Sequence, residues 1–458
     1  MGHYRISKTL RGALLGVMCL TTPVAASAES LTDALILAYK HSHLLDQNRA
    51  VLRAADEDVA SALAGLRPVI QFLAQSTYTP TSAAGTDDLS SALSVSADMT
   101  LFDNGATKLG IDVAKETVLA TREALVAVEQ QVLLSAVEAY LAVTSAIESV
   151  SLSENNVRVI TQELRAARDR FEVGEVTRTD VALAEARLAA ARSSQAAATG
   201  SLAVARERYR VAVGQYPGTL NRTSRAPGLP KTLIEAENVG LRSHPNILQA
   251  QRQVTINELN IARAQAATGF RVTAGANLGV DQDLNDSFSV TTRLTQPIYS
   301  GGALSSATRK AKANRDASRA NLLGTTHSIR QQVGVAWSNL IVAGAQLEAT
   351  ERQIRASRIA FQGIQEEAKL GSRTTLDVLD AEQELLDALG SRIDAQAQQS
   401  VANYSLLSSM GLLTVKHLGL GVQTYDPEAY YNAVKSGPVA KSKQGRQLDK
   451  LMERLSKQ

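Results

Sequence analysis

The chain has 458 residues, 44% of them hydrophobic but only 4% aromatic, with one cysteine and a formal net charge of +3. Alanine dominates the apolar set, and small side chains suit helices whose axes lie close together rather than globules filled by large residues. Residues 1–28 carry about +3 and the segment after Val434 about +5, leaving the body near −5, which excludes a nucleic-acid binder with a basic folded surface.

Arg5, Lys8 and Arg11, the apolar run Ala13 to Leu20 and Ala26-Ser27-Ala28 before Glu29 make the pattern of a cleaved signal peptide over residues 1–28. The run of about eight apolar residues is too short to cross a bilayer, which needs about 20. Cys19 would leave with the signal, and Met18 before it argues against lipidation, so the mature chain is expected to have no thiol chemistry. No later stretch reads as a transmembrane helix, which argues against an inner-membrane helical transporter. It does not argue against the outer membrane, where strands of about 10 alternating residues cross.

The first repeat, residues 29–214, opens with one expected helix from Glu29 to Leu66, N-capped by Ser30 with Asp33 as its capping-box partner. Pro68 ends it, and the period falls to two. Ile70, Phe72, Ala74, Ser76 and Tyr78 alternate with Gln71, Leu73, Gln75 and Thr77, and Leu93, Val95, Ala97, Met99 and Leu101 alternate more cleanly with polar residues after the polar turn from Pro80 to Ser91. These predict two strands over about 68–101. A helix follows from Ala106 to Glu172, with small or apolar residues such as Leu125, Val128, Val132, Ala136 and Ala139 at coiled-coil spacing. After a tip at about 172–180, a seam through Leu188, Ala191, Leu202, Ala205 and Tyr209 runs to Gly214, and the proline-rich segment 215–232 reads as a linker.

Residues 233–413 repeat the plan: a helix to Thr268, two strands over about 270–299, a long helix, a tip at about 369–380 and a shorter helix, with Trp337 aligned to Tyr140 and Gly411 to Gly214. The tip sequences Phe171 to Glu185 and Ala368 to Glu382 align without a gap at an offset of about 197 residues, so one unit is written twice. Each tip has Gly where a helix stops and Thr three residues before Asp where another starts. The long helices would measure about 100 Å, matched by the two shorter ones laid end to end. Residues 414–434 are expected to pack near the middle of the rods, and the basic tail 435–458 either to be disordered or to form a brief amphipathic helix through Leu448, Leu451, Met452 and Leu455.

Helices of this length cannot fold back over four strands, so the apolar sheet face must be buried in lipid or in another chain. Lipid demands a closed barrel. Four strands cannot close, so several chains must contribute. The alternative is a secreted or periplasmic structural coiled coil without a membrane barrel. No phosphate loop, nucleophile elbow or zinc signature is present, and His41 and His43 are spaced wrongly for a helical metal pair, so no enzyme, cofactor or metal is expected.

The tandem halves, the turn Gln296-Pro-Ile-Tyr-Ser-Gly-Gly302 and the paired tips resemble the TolC family of outer-membrane export ducts. The resemblance implies an α/β membrane protein of long coiled-coil helices forming a periplasmic α-barrel, with four strands per chain joining a trimeric twelve-stranded barrel in outer-membrane lipid. It implies a homotrimer serving type I protein secretion or multidrug efflux, with an inner-membrane pump of the ABC or RND type and a periplasmic membrane-fusion adaptor as partners. Arg373 matches the family's gate arginine, with Thr179 and Asp180 as its partners, while the family's tyrosine falls at Ala368. Asp377 and Asp380 match acidic rings at the tunnel entrance, and Val173, Gly174, Thr177, Gly371, Ser372 and Thr374 match the adaptor-docking tips.

Overall fold

The computed structural model describes residues 29–79, 88–221 and 228–455. The expected signal peptide, most of the first strand turn and residues 222–227 of the linker lie outside them. Helices α1 (Leu31–His41) and α2 (His43–Ala64) lead into β1 (Val69–Thr79) and β2 (Asp88–Phe102), followed by α3 (Ala106–Glu172) and α4 (Arg178–Val213). The second half repeats this order as α5 (Leu233–Ser243), α6 (Pro245–Ala266), β3 (Arg271–Asp281), β4 (Asp286–Thr295), α7 (Ala303–Lys369) and α8 (Thr375–Ser409). Two further helices, α9 (Pro427–Val434) and α10 (Lys443–Leu455), close the described chain.

The helix expected from Glu29 to Leu66 is two helices, because Ser42 adopts an extended backbone and its hydroxyl caps α2 at the Leu45 amide. The helix expected from Leu233 to Thr268 breaks likewise at His244, whose successor Pro245 disfavours a helical backbone before it. His244 is buried and its Nδ1 accepts the Asn246 amide, a capping role that explains a histidine in this position. Burial lowers its pKa to about 4, so it is neutral at physiological pH. The strand pair expected over 270–299 ends at Thr295.

Of the two states open to the tail, disorder or a brief amphipathic helix, the structure has the helix, α10. Leu448 is buried against Tyr430 and Val434, while the Arg67 guanidinium donates to the carbonyls of Ser436 and Gly437. The apolar side of the tail therefore has a place on the body, which its basic composition conceals. The expectation that no later stretch resembles a transmembrane helix also needs correction. An 18-residue window within α3 reaches a mean hydropathy of 1.4. That helix carries Val132, Leu133, Ala136, Val137, Tyr140 and Val143 into the main core, so its apolarity serves packing.

This core lies midway along the rods, where all the helices from α1 to α8 meet the segment from Met410 to Leu420. Tyr140 and Tyr209 are fully buried at its centre with ring centroids 6.4 Å apart. The Tyr140 hydroxyl lies 2.6 Å from the Asn221 carbonyl and 3.0 Å from that of Glu29, and the Tyr209 hydroxyl donates to the Glu29 carboxylate. These contacts tie the start of the described chain to both helices of the first hairpin. The segment after α8 is held in turn by the Val415 amide on Glu129 at 2.7 Å and by Arg49 over the rings of Tyr39 and Tyr425.

The four strands form one antiparallel sheet in the order β1-β2-β3-β4. Its register places Phe72, Val95, Leu278 and Phe288 in one row across all four strands, and Ile70, Ala97, Ala276 and Val290 in the next. The alternate rows are polar: Gln71, Ser96, Asn277 and Ser289 form one. Period-two alternation sends these rows to opposite faces. The apolar face is bare, with Phe72 and Phe288 each 69% exposed.

Asp56 on α2 is fully buried with neither carboxylate oxygen bonded among the described residues, beside Arg122 of α3. Burial pushes its pKa up to about 6; Arg122 opposes this rise and Glu57 adds to it. A carboxyl whose folded pKa is raised favours folding most below its ordinary range, and that advantage is lost as pH climbs through about 6. Asp56→Asn should therefore stabilise the protein at pH 8 by about 2–3 kcal/mol, with a smaller effect at pH 4.5, as read from thermal melts in detergent.

Candidate channel entrance at the hairpin tips

The two helical hairpins end in the same local structure. Gly174 at φ +81° follows α3, and the Glu175 amide reaches back to the Arg170 carbonyl at 2.9 Å. Gly371 at φ +79° follows α7, and the Ser372 amide reaches the Glu367 carbonyl at 3.0 Å. This is the left-handed cap that glycine adopts without steric penalty. The next helices begin with reciprocal capping boxes, Thr177 with Asp180 and Thr374 with Asp377. Hydrogen bonds from Thr177 hold Asp180 below the usual carboxylate range, and those from Thr374 do the same for Asp377. Both are ionised at neutral pH.

One cleft of about 520 Å³ lies between the tips and is lined by Thr177 and Asp180 of the first hairpin and by Ala368, Gly371, Arg373 and Thr374 of the second. Arg373 and Asp180 thus face a common space, but each is engaged on its own hairpin. The Arg373 Nε donates to Glu367 at 2.8 Å, which raises its already high pKa, while Asp180 caps α4. Thr179 is exposed in the first turn of α4. The link expected between Arg373 and Thr179 or Asp180 is not formed within one chain.

Asp380 is exposed on α8 and bonds Arg187 of α4 at 2.6 Å, joining the two hairpins one turn inside the tips. Below it, Ile160 and Leu164 of α3, Ala184, Leu188 and Ala191 of α4, and Leu379 of α8 form a separate small core. At the apices Val173 is 72% and Leu370 85% exposed, with Ser372 beside them. Sequence reading missed Leu370, although the repeat aligns it with Val173. It also missed Arg187 and Glu367, whose partners lie elsewhere in the chain or on the opposite side of a turn.

The architecture is two copies of one unit, each with a two-strand ribbon and a rod hairpin ending in this tip. The model of the outer membrane efflux protein family matches the chain twice, over residues 35–215 and 238–412, once per unit. The chain belongs to the outer membrane efflux protein family. This efflux-family chain is 34% identical over 446 residues to the outer membrane efflux protein BepC of Brucella suis, spanning 94% of this chain and 97% of BepC. It is 24% identical to the outer membrane protein TolC of Escherichia coli K12, over 90% of this chain and 88% of TolC. Among solved structures, the outer membrane protein VceC of Vibrio cholerae superposes with a TM-score of 0.72 at 20% identity, covering 83% of this chain and 96% of VceC. The MtrE outer membrane channel of Neisseria gonorrhoeae gives 0.73 at 20% identity, covering 84% of this chain and 89% of MtrE. The efflux-family chain is an outer-membrane export channel, and the reading as a coiled coil without a membrane part falls away.

The glycines separate strain from packing. A Cβ on Gly371 would meet nothing within 4 Å, whereas one on Gly411, at the same φ of +79°, would lie 2.7 Å from the His244 Cα. Gly371→Ala should cost about 1 kcal/mol of backbone strain, and Gly411→Ala at least twice as much, measured as shifts in thermal unfolding.

Proposed function

We propose that three copies of this chain close their sheets into one twelve-stranded outer-membrane barrel, continued into the periplasm by a tunnel of their long helices. The observation that carries this reading is the exposed apolar face of a sheet whose first and last strands, β1 and β4, are both edges. A bilayer accepts such a sheet only after its edges are paired, and copies of the same chain supply the missing strands. The channel has no chemistry to perform. It serves as the exit duct of a tripartite exporter for proteins or small toxic compounds, energised by an inner-membrane ABC- or RND-type pump through a periplasmic adaptor.

In this reading the adaptor docks on Val173, Gly174, Thr177, Gly371, Ser372 and Thr374, where exposed apolar apices adjoin rigid capped turns. Arg373 is the movable element of a gate, leaving Glu367 for Thr179 or Asp180 of a neighbouring hairpin when the copies close up. Ala368 lines that cleft without a hydroxyl to add to the seal. Asp377 and Asp380, repeated three times around the axis, make the entrance electronegative and favour cations over anions.

Two measurements test this. The protein should fractionate with outer membranes and run as heat-modifiable trimers after detergent extraction; a monodisperse monomer stable without detergent would refute the barrel. In planar bilayers, replacing Asp377 and Asp380 with Ala should lower the cation-to-anion permeability ratio several-fold, and an unchanged reversal potential would remove these residues from the entrance.

A further inference from the structure

The duplicated hairpins provide an internal comparison at the entrance. Arg168 and Glu185 of the first hairpin form an ion pair between α3 and α4. At the same offset the second hairpin has Gln365 and Glu382. The glutamate is present in both copies, but its arginine has become a glutamine. Gln365 instead donates to Glu163 of α3 at 3.4 Å.

Glu382 is only 8% exposed, and its Oε2 has no hydrogen-bond partner among the described residues. It lies on α8 where that helix packs on α3, one turn beyond Leu379 of the small core between the hairpins. The charged group acting on it is Glu163 across the interface. Arg187 of α4 is committed to Asp380, and α7 offers the neutral Gln365. The buried Glu382 thus faces the half-buried Glu163 across the helix interface, with no cation between them among the described residues. An ionised carboxylate is poorly tolerated in such a setting, and two are tolerated less.

We propose that Glu382 and Glu163 form a proton-controlled lock between the two hairpins, closed when Glu382 carries a proton and loosened when both carboxylates are charged. This rests on the reading of the tips as a channel entrance, which separation of α3 from α8 would widen. Burial, with the neighbouring Glu163 charge, pushes the Glu382 pKa up to about 7. The sign follows directly. The lock is at full strength below the ordinary glutamate range, weakens as pH rises, and is lost above about 7, a change of about a hundredfold per chain in the closing equilibrium. Asp377 is held in the opposite direction and stays charged throughout that window.

The test uses the full-length channel in planar bilayers together with amide hydrogen exchange, corrected for intrinsic pH dependence, over residues 155–170 and 376–390. Wild-type conductance should rise at least several-fold from pH 5.5 to 8 while protection of both segments falls. Glu382→Gln should hold both readouts at their acid values. Gln365→Arg, which recreates the Arg168–Glu185 arrangement, should likewise remove the pH dependence by pairing Glu382 in its charged form. An unaltered pH profile in Glu382→Gln, or pH-independent protection in the wild type, overturns the lock. If exchange behaves as stated but no current is seen, the lock stands and the channel-entrance reading fails.

Discussion

A backbone amide or carbonyl that enters hydrocarbon without a partner costs several kcal/mol, and this constraint organises the whole chain. β1 and β4 each offer one unpaired side, and the four strands align their apolar rows on a face that none of the described residues covers. The helices cannot relieve either problem. Each 67-residue rod runs about 100 Å, and its buried side chains are committed to other helices. The sheet is therefore a fragment of a larger closed surface, and the rods extend away from it to the tips.

The duplication gives this architecture its economy and its asymmetry. Gapless correspondence between α3–α4 and α7–α8 reproduces the glycine turn and the capping box at both tips. It does not reproduce the pairing higher on the rods, where Arg319 bonds Glu258 at 2.7 Å but the corresponding Arg122 lies beside an Asp56 carboxylate unbonded among the described residues. The copies differ near the tips: the second hairpin has Arg373 for Val176, Asp380 for Leu183 and Gln365 for Arg168, while the first has Glu175 for Ser372 and Arg178 for Thr375. The second hairpin, which lacks the internal Arg–Glu pair of the first, is the better candidate for the part that moves.

Strands and long helices were legible because each has an unambiguous period, and the tips because glycine and Thr-x-x-Asp mark a stop and a start. The breaks at Ser42 and His244 were less legible, since a hydrophobic pattern continues across them and only a capping side chain and Pro245 signal the interruption. The tail left helix and disorder open, since exposed cations such as Lys443, Arg446, Lys450 and Arg454 do not reveal that Leu448 is buried on α9. At the tips, sequence singled out Arg373, Asp377 and Asp380 as candidates. It could not show that Arg373 rests on Glu367 or that Asp380 rests on Arg187, because those choices depend on how two hairpins are packed. Glu382 looked like one more member of a charged helix, and only its burial against Glu163 distinguishes it.

The central seam of the sheet joins β2 to β3, with Leu93 opposite Val280 and Met99 opposite Ala274. Those partners are separated by the entire first hairpin and the linker, so the seam forms only after most of the polypeptide has been synthesised. Until then β1 and β2 are a sticky, two-stranded ribbon in transit through an aqueous compartment. Such distant pairing is slow, and an uncovered ribbon readily joins the wrong neighbour. Biogenesis of this molecule is consequently a race between membrane delivery and aggregation, decided by whatever shields the ribbon during the journey.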